Sequence, residues 1–400
     1  MPNDRDPFVQ AIRAREDEFR EEAAACEELG RLTDRTAALM RELGVVKMLQ
    51  PKAYGGQEAD PESYLDATFV LASISGAAGW VGGVVGLHPW EIAQLPDAVQ
   101  REVWGADHDT WISSPYAPIG RARTADGGVT LTGRWPFASG TDHCSWALIG
   151  GTHEERPGQV LHFLVPKADY TIDHDSWDVT GLRGTGSKDL SVTGAFVPSA
   201  HVVVADDISH GNASAAWDGV SPLYRMPFWV LFPAAIATAT LGIAQGAIEA
   251  YQRAALDSAA RRGKLTQTPA QLAALAGATA DVDAGYLTVR DGVNRAYEAV
   301  AAGRSVGLPE RLTARRDQTV AVRRAFDAVF RLYQEAGSLG IRSSTEFSRF
   351  FRDLSVGSEH HSNSPESYLH AHAGMLLGQP IPADIRIGPA PESERTLAIV

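Results

Sequence analysis

The sequence predicts an α+β chain in which helices flank a block of strands, and three observations predict it. Ala, Glu, Arg and Leu recur at helical spacing from about Asp6 to Asp109. Alternating, β-branched runs fill about Thr110 to Asp207, and helical composition returns near Arg225 and lasts to about Leu377. The expected division is an N-terminal α-helical domain over residues 1–109, a middle β-barrel or sandwich domain over 110–215, and a C-terminal four-helix bundle with its tail over 216–400.

Each block has its own punctuation. Ile12, Phe19, Leu29, Leu32, Leu39 and Leu43 predict two helices closed by Gly30 and Gly44. The run Pro51–Gly56 is a loop, and Asp60-Pro61-Glu62 opens a long Ala/Gly/Val helical stretch to Leu87. In the β block, Val129–Trp135 alternates after the turn Asp126-Gly127-Gly128, and Ser145–Gly151, Val160–Val165 and Leu190–Val197 read as further strands. Val322, Phe326, Val329, Phe330 and Tyr333 form an apolar stripe on a late helix, the kind of face a bundle or a second subunit covers. The Pro-rich tail after Gln379 reads as extended.

Composition excludes several classes. Hydrophobic residues at 44% and charged residues at 21% of 400 are those of a globular protein. With 36 Lys+Arg against 49 Asp+Glu, the formal charge of −13 repels phosphate backbones, so no nucleic-acid partner is expected. Cys26 and Cys144 are too few and too far apart for a disulfide framework or a zinc site, which fits a reducing cytoplasm. Residues 1–20 lack the apolar core of a signal peptide, and the apolar windows Leu71–Leu87 and Pro227–Ile248 are Ala/Gly-rich, as buried helices are, so no membrane partner is expected. A GxGxxG-like match at Gly181–Gly186 lies between two β runs and does not open a helix, so it is not a dinucleotide site.

Three ordered segments resemble the acyl-CoA dehydrogenase superfamily: Gly181–Asp189 continuing through Ala195-Phe-Val-Pro198, Gln334–Gly340 followed by Arg349-Phe-Phe-Arg352-Asp353, and Arg134–Gly140. Two departures point to one branch. The dehydrogenases' T-E-P-x-x-G-S-D flavin loop is replaced by Ser113–Gly120, and histidines of Gly357-Ser-Glu-His-His361 stand about where the catalytic glutamate is expected. The pattern is similar to the oxygenase components of two-component flavin-dependent monooxygenases, including hydroxylases of phenolic secosteroids and of aromatic polyketides. Pro51–Gly56, Gly79-Trp-Val81, Gly86-Leu-His-Pro-Trp90, Ser113–Pro118, Phe137–Gly140 and His360 carry that likeness.

The resemblance implies the chemistry. Such an oxygenase takes reduced FMN or FAD from an NAD(P)H-dependent flavin reductase, forms a flavin C4a-hydroperoxide with O₂ and hydroxylates a small aromatic substrate, without a metal. By resemblance, His88 and His360 are the active-site histidines, with His361 adjacent, and Ser139, or alternatively Ser114, accepts a hydrogen bond from flavin N5. Ser113, Ser114, Trp135, Arg183, Thr185, Ser187 and Arg349 are expected at the flavin, though Arg183 and the Arg349/Arg352/Asp353 group serve equally as structural ion pairs. Trp80, His88, Trp90, Tyr116 and His361 are expected at the substrate, with Trp111, Trp135 and Trp146 as further aromatic wall. Asp142-His143 reads as structural. Adjacent helical histidines point about 100° apart, so His360-His361 with His370 and His372 makes a poor metal site. The competing readings are an acyl-CoA dehydrogenase using Glu359 as base, an N-oxygenating relative, and a turnover-dead flavin-binding scaffold. A homotetramer is expected from the fold.

Overall fold

The computed structural model describes residues 1–209, 220–382 and 385–388. The expected boundary at 215/216 and the extended course expected beyond residue 388 lie outside the described residues.

The first block holds α1 (Pro7–Arg13), α2 (Glu16–Leu29), α3 (Asp34–Glu42), α4 (Pro61–Ile74), α5 (Gly76–Val85), α6 (His88–Ile92) and α7 (Asp97–Trp104). Three helices therefore precede Gly44 where two were expected, because the chain leaves helical geometry at Arg15 (φ −116°, ψ 16°) before α2 begins. Gly30 and Gly44 do supply the left-handed turns, at φ 67° each. Asp60 caps α4 through Ser63 N–H at 2.9 Å, with Pro61 in the first turn. The stretch to Leu87 is not continuous: Ser75 is extended (φ −142°, ψ 108°), and its hydroxyl caps α5.

The second block holds β1 (Ile112–Ser113), β2 (Gly120–Ala125), β3 (Gly128–Ala138), β4 (Trp146–His153), β5 (Arg156–Pro166), β6 (Thr171–Asp173), β7 (Lys188–Pro198) and β8 (Val202–Val204) in one sheet ordered β6-β7-β3-β2-β4-β5-β8, with β1 parallel to β4. Ala147, Ile149, Leu161, Phe163 and Val165 join Leu131, Trp135 and Leu190 in one apolar cluster, so the sheet wraps around its own core. The alternate residues Leu148 and Leu164 face the other way and pack with Ile92, Leu95, Val99 and Trp104 of the first block.

After α8 (Ala205–Ser209) come the long helices α9 (Phe228–Arg262), α10 (Pro269–Ala301) and α11 (Leu308–Glu335), then α12 (Ser338–Ile341), α13 (Glu346–Ser358) and α14 (Glu366–Leu376). Helix α9 is the shared wall: α4, α5, α10, α11 and α13 all pack on it. It is the one helix among the described residues long and apolar enough to cross a membrane, and 83% of its most apolar window is buried inside the fold. The Arg349/Arg352/Asp353 group lies within α13, not at the start of the last helix, since α14 follows.

Small residues set the spacing of α4 against α9. A Cβ on Gly242 would sit 2.4 Å from the Phe69 carbonyl oxygen and 2.7 Å from Ala72 Cβ. Gly242→Ala should therefore lower the unfolding midpoint in thermal or urea denaturation, at a cost of about 2–3 kcal/mol. Gly277→Ala, in α10 with nothing within 4 Å of the added methyl, should leave stability unchanged or raise it by about 0.5–1 kcal/mol.

Candidate active site

His88 begins α6, directly after the Gly86-Leu87 turn, and is completely buried. A buried imidazole needs partners at both nitrogens. Nδ1 lies in hydrogen-bond contact with the Ile112 carbonyl, so it carries the proton. Nε2 is then the acceptor, and the Ser114 hydroxyl donates to it at 2.5 Å. Burial pushes the His88 pKa down to about 4.

Beyond Ser114 the chain stays extended, and Gly150 N–H donates to Pro115 O at 3.0 Å. Position 150 must be glycine, because a Cβ there would lie 2.2 Å from Tyr116 O. Tyr116 thus reaches Glu91, donating its hydroxyl to Oε2 at 2.6 Å. Its ring lies 5.9 Å from His88, 4.7 Å from His162, 5.3 Å from Phe228 and 5.4 Å from Phe232.

A second group of side chains converges from β3, α5 and the end of α13. Phe137 near the end of β3 and Gly140 just beyond it both take positive φ (69° and 68°), a strained conformation for the phenylalanine. Ser139 between them is buried and accepts from the Trp80 indole N–H at 3.2 Å. Its hydroxyl continues to Ser187 at 2.8 Å and Ser187 to Thr185 at 2.7 Å, a chain of buried hydroxyls. On its other side Trp80 stands edge-on to His360, with centroids 5.6 Å apart, and Phe232 lies 6.4 Å from the same imidazole.

His360 and His361 differ sharply. His360 packs its ring on Trp80 and Phe232, whereas His361 is exposed. Ser362 N–H donates to His360 Nδ1 at 3.1 Å, so in the neutral ring Nε2 carries the proton. The two inward histidines are therefore opposite tautomers, His88 with an acceptor nitrogen at Ser114 and His360 with a donor. Burial lowers the His360 pKa to about 4, and the Arg315 charge and a protonated His361 beside it act in the same direction. Arg315 is wholly buried, donates to Ser362 O at 2.6 Å and lies over the Tyr368 ring at 4.3 Å, with no carboxylate in ion-pair reach among the described residues.

Other expected residues lie elsewhere. Trp135 is in the sheet's own core, its indole N–H on Gly150 O at 2.7 Å. Trp111 packs under Arg41 and Trp146 against His201. Trp90 is fully buried beside Phe228 and tied to Leu223 O at 2.8 Å. Ser113 is buried with an unpaired hydroxyl. Arg183 bonds Val179 O and Glu27 O, anchoring its own loop to α2. Arg349 is half-buried in a crevice with Glu27, Gly76 and Asp353. Asp142 holds Lys188 at 2.7 Å and His143 holds Leu32 O at 2.9 Å, as a structural pair would. Glu359 is exposed at the end of α13. No group of three His, Cys, Asp or Glu among the described residues is placed to hold a metal. Glu91, His162, Phe228, Phe232 and Arg315 were missed; only His162 had a readable signal, since strand alternation pairs it with helix-facing Leu164.

The sequence family described as acyl-CoA dehydrogenase, C-terminal domain, matches residues 234–365. The pigment production hydroxylase of Rhodococcus erythropolis is 39% identical over 92% of this chain and 96% of its own. The flavin-dependent monooxygenase oxygenase subunit HsaA of Rhodococcus jostii is 36% identical over 91% of this chain and 96% of its own. The chain belongs to the oxygenase components of two-component flavin-dependent monooxygenases. The crystal structure of the 3-HSA hydroxylase from Rhodococcus sp. RHA1 superposes on this oxygenase with a TM-score of 0.90 at 34% identity, covering 95% of this chain and 98% of the other. The oxygenase therefore has the acyl-CoA dehydrogenase fold, depends on flavin and is an aromatic hydroxylase.

Stability should register the buried His88 imidazole and the half-buried His360 imidazole. Each folded pKa, about 4, lies below the ordinary value of 6.5, so the unfolded chain binds more protons between those limits. The stability they contribute is present above about pH 6.5 and is lost as pH falls toward 4. Asp353, pushed up to about 6 by burial, has the opposite sign and offsets part of the loss. The unfolding midpoint should therefore fall on acidification, and His88→Asn, followed by thermal melts across that window, should flatten the fall.

Proposed function

We propose that the oxygenase hydroxylates an uncharged phenol or polycyclic phenolic compound whose hydroxyl is received by Ser114 and His88. The observation that carries this is the Ser114–His88 hydrogen bond at 2.5 Å, set in a wall of Tyr116, Phe228 and Phe232.

Reduced flavin, when bound, supplies the electrons that activate dioxygen. The residues present fit its polar edge: the Ser139–Ser187–Thr185 hydroxyls can each donate or accept, they are buried beside the Trp80 indole, and the buried Thr141 hydroxyl two residues after Ser139 lacks a partner. Ser139, Ser187, Thr185 and Trp80 would hold the flavin, and His360, packed edge-on against Trp80, presents an N–H donor. Phe232 and Tyr116 form a continuous run of rings from His360 to His88, an apolar wall of the kind that keeps water from a reacting flavin.

His88 is too weak a base to ionise a resting phenol. A phenol near pKa 10 facing an imidazole near 4 resists full proton transfer by about 8 kcal/mol. The pair instead shares the proton: the phenol donates to Ser114 Oγ, whose own O–H donates to His88 Nε2. As the ring yields electrons to the incoming oxygen its hydroxyl becomes strongly acidic, and the proton then passes along Ser114 to His88.

An oxygenase component works with a separate flavin reductase. We assign that partner NAD(P)H as its electron source, either FMN or FAD as the shuttled flavin, a homotetramer as the assembly and the cytoplasm as the location. Purified oxygenase with a flavin reductase, NADH and a panel of p-cresol, resorcinol and naphthol should place one atom from isotopically labelled dioxygen into a hydroxylated product. His88→Ala should lower that rate about a hundredfold with the fold intact by circular dichroism. Full coupled activity in His88→Ala would remove His88 from the site.

A further inference from the structure

Glu91 lies one helical turn beyond His88, the spacing that puts both side chains on one face of α6. It is completely buried, and each carboxylate oxygen has one donor: Tyr116 at Oε2 and His162 Nδ1 at Oε1, both at 2.6 Å. A carboxylate out of water is costly even when hydrogen-bonded, and apolar side chains of similar volume would pack the same space at least as well. Stability alone therefore does not account for this group.

What the carboxylate accomplishes is orientation. Ser114 and Tyr116 alternate along the extended segment after β1, and they pair with His88 and Glu91, two rungs joining that segment to α6. The Tyr116 ring is fixed at its backbone by the Pro115–Gly150 bond and at its hydroxyl by Glu91. It stands edge-on to His88, Phe228 and Phe232, at interplanar angles of 73°, 80° and 84°.

We propose that Glu91, with His162, is a positioning residue for hydroxylation: it pins Tyr116 so that a phenol held by Ser114 and His88 meets a fixed ring plane and presents one ring carbon to the oxygen donor. The proposal rests on the reading of Ser114 and His88 given above. It assigns regioselectivity and phenol affinity to a carboxylate that does not touch the substrate.

Glu91→Gln keeps the shape but sets an amide NH₂ against one of the two donors, and Tyr116→Phe removes only the hydroxyl. For each full-length variant, phenol affinity is read by tryptophan fluorescence without flavin, and KM, kcat and product isomers are read in the reductase-coupled assay. The phenol is whichever panel member the wild-type enzyme turns over best. Both variants should raise Kd and KM about tenfold, with a smaller change in kcat, and spread the product over more than one ring position, while reduced-flavin affinity stays at the wild-type value. Folded variants with wild-type Kd, KM and a single product would overturn the proposal. So would an equal loss of flavin and phenol affinity with a lowered unfolding midpoint, which marks a purely structural group. A wild-type enzyme that hydroxylates no phenol would overturn the reading beneath it, and the proposal with it.

Discussion

A fully buried imidazole must satisfy both of its nitrogens within the protein, and the arrangement of this site depends on how His88 does so. Its proton goes to a backbone carbonyl of β1 and its lone pair to Ser114 one step beyond. The short helix of the first block is thereby tied to the sheet at the place where the sheet's helix-facing side meets α9. Tyr116, Glu91 and His162 repeat the tie one rung further on. Moving α6 would leave several buried polar groups without partners at once, each at about 1–3 kcal/mol.

The two inward histidines divide the labour through their tautomers. His88 offers a lone pair, already engaged by a hydroxyl that a phenol can join, whereas His360 offers an N–H because the backbone of its own turn occupies Nδ1. Burial keeps both neutral near pH 7. Trp80 connects His360 to the Ser139 hydroxyl chain, and the aromatic rings of α9 and Tyr116 connect it to His88. In the function we propose, the acceptor at one end takes a proton from a phenol while the donors at the other retain protons around the flavin.

Much of this was legible in residue order. The helix–strand–helix order follows from periodicity, and His88, Ser114, Ser139 and His360 were marked by short motifs that resemble relatives at those positions. The helix break at Ser75 escaped because an Ala/Gly-rich run reads as continuous until a hydroxyl caps a new first turn. Trp135 was assigned to the flavin on motif position, but bulges in β3 and the pleat turn it into the sheet's core. Glu91 and Phe232 had no signal: a Glu on a helix and a Phe near a helix start are ordinary, and only packing between blocks distant in the chain brings Glu91 to Tyr116 and His162 and Phe232 to Tyr116 and His360.

The most direct test of the account is to mix the purified chain anaerobically with reduced FMN or FAD, add oxygen, and follow the near-ultraviolet flavin spectrum. An aromatic-walled site with neutral histidines predicts a long-lived species distinct from both reduced and oxidised flavin, decaying faster to product when a phenol is present. Direct return to oxidised flavin at the rate of free flavin in solution would contradict it.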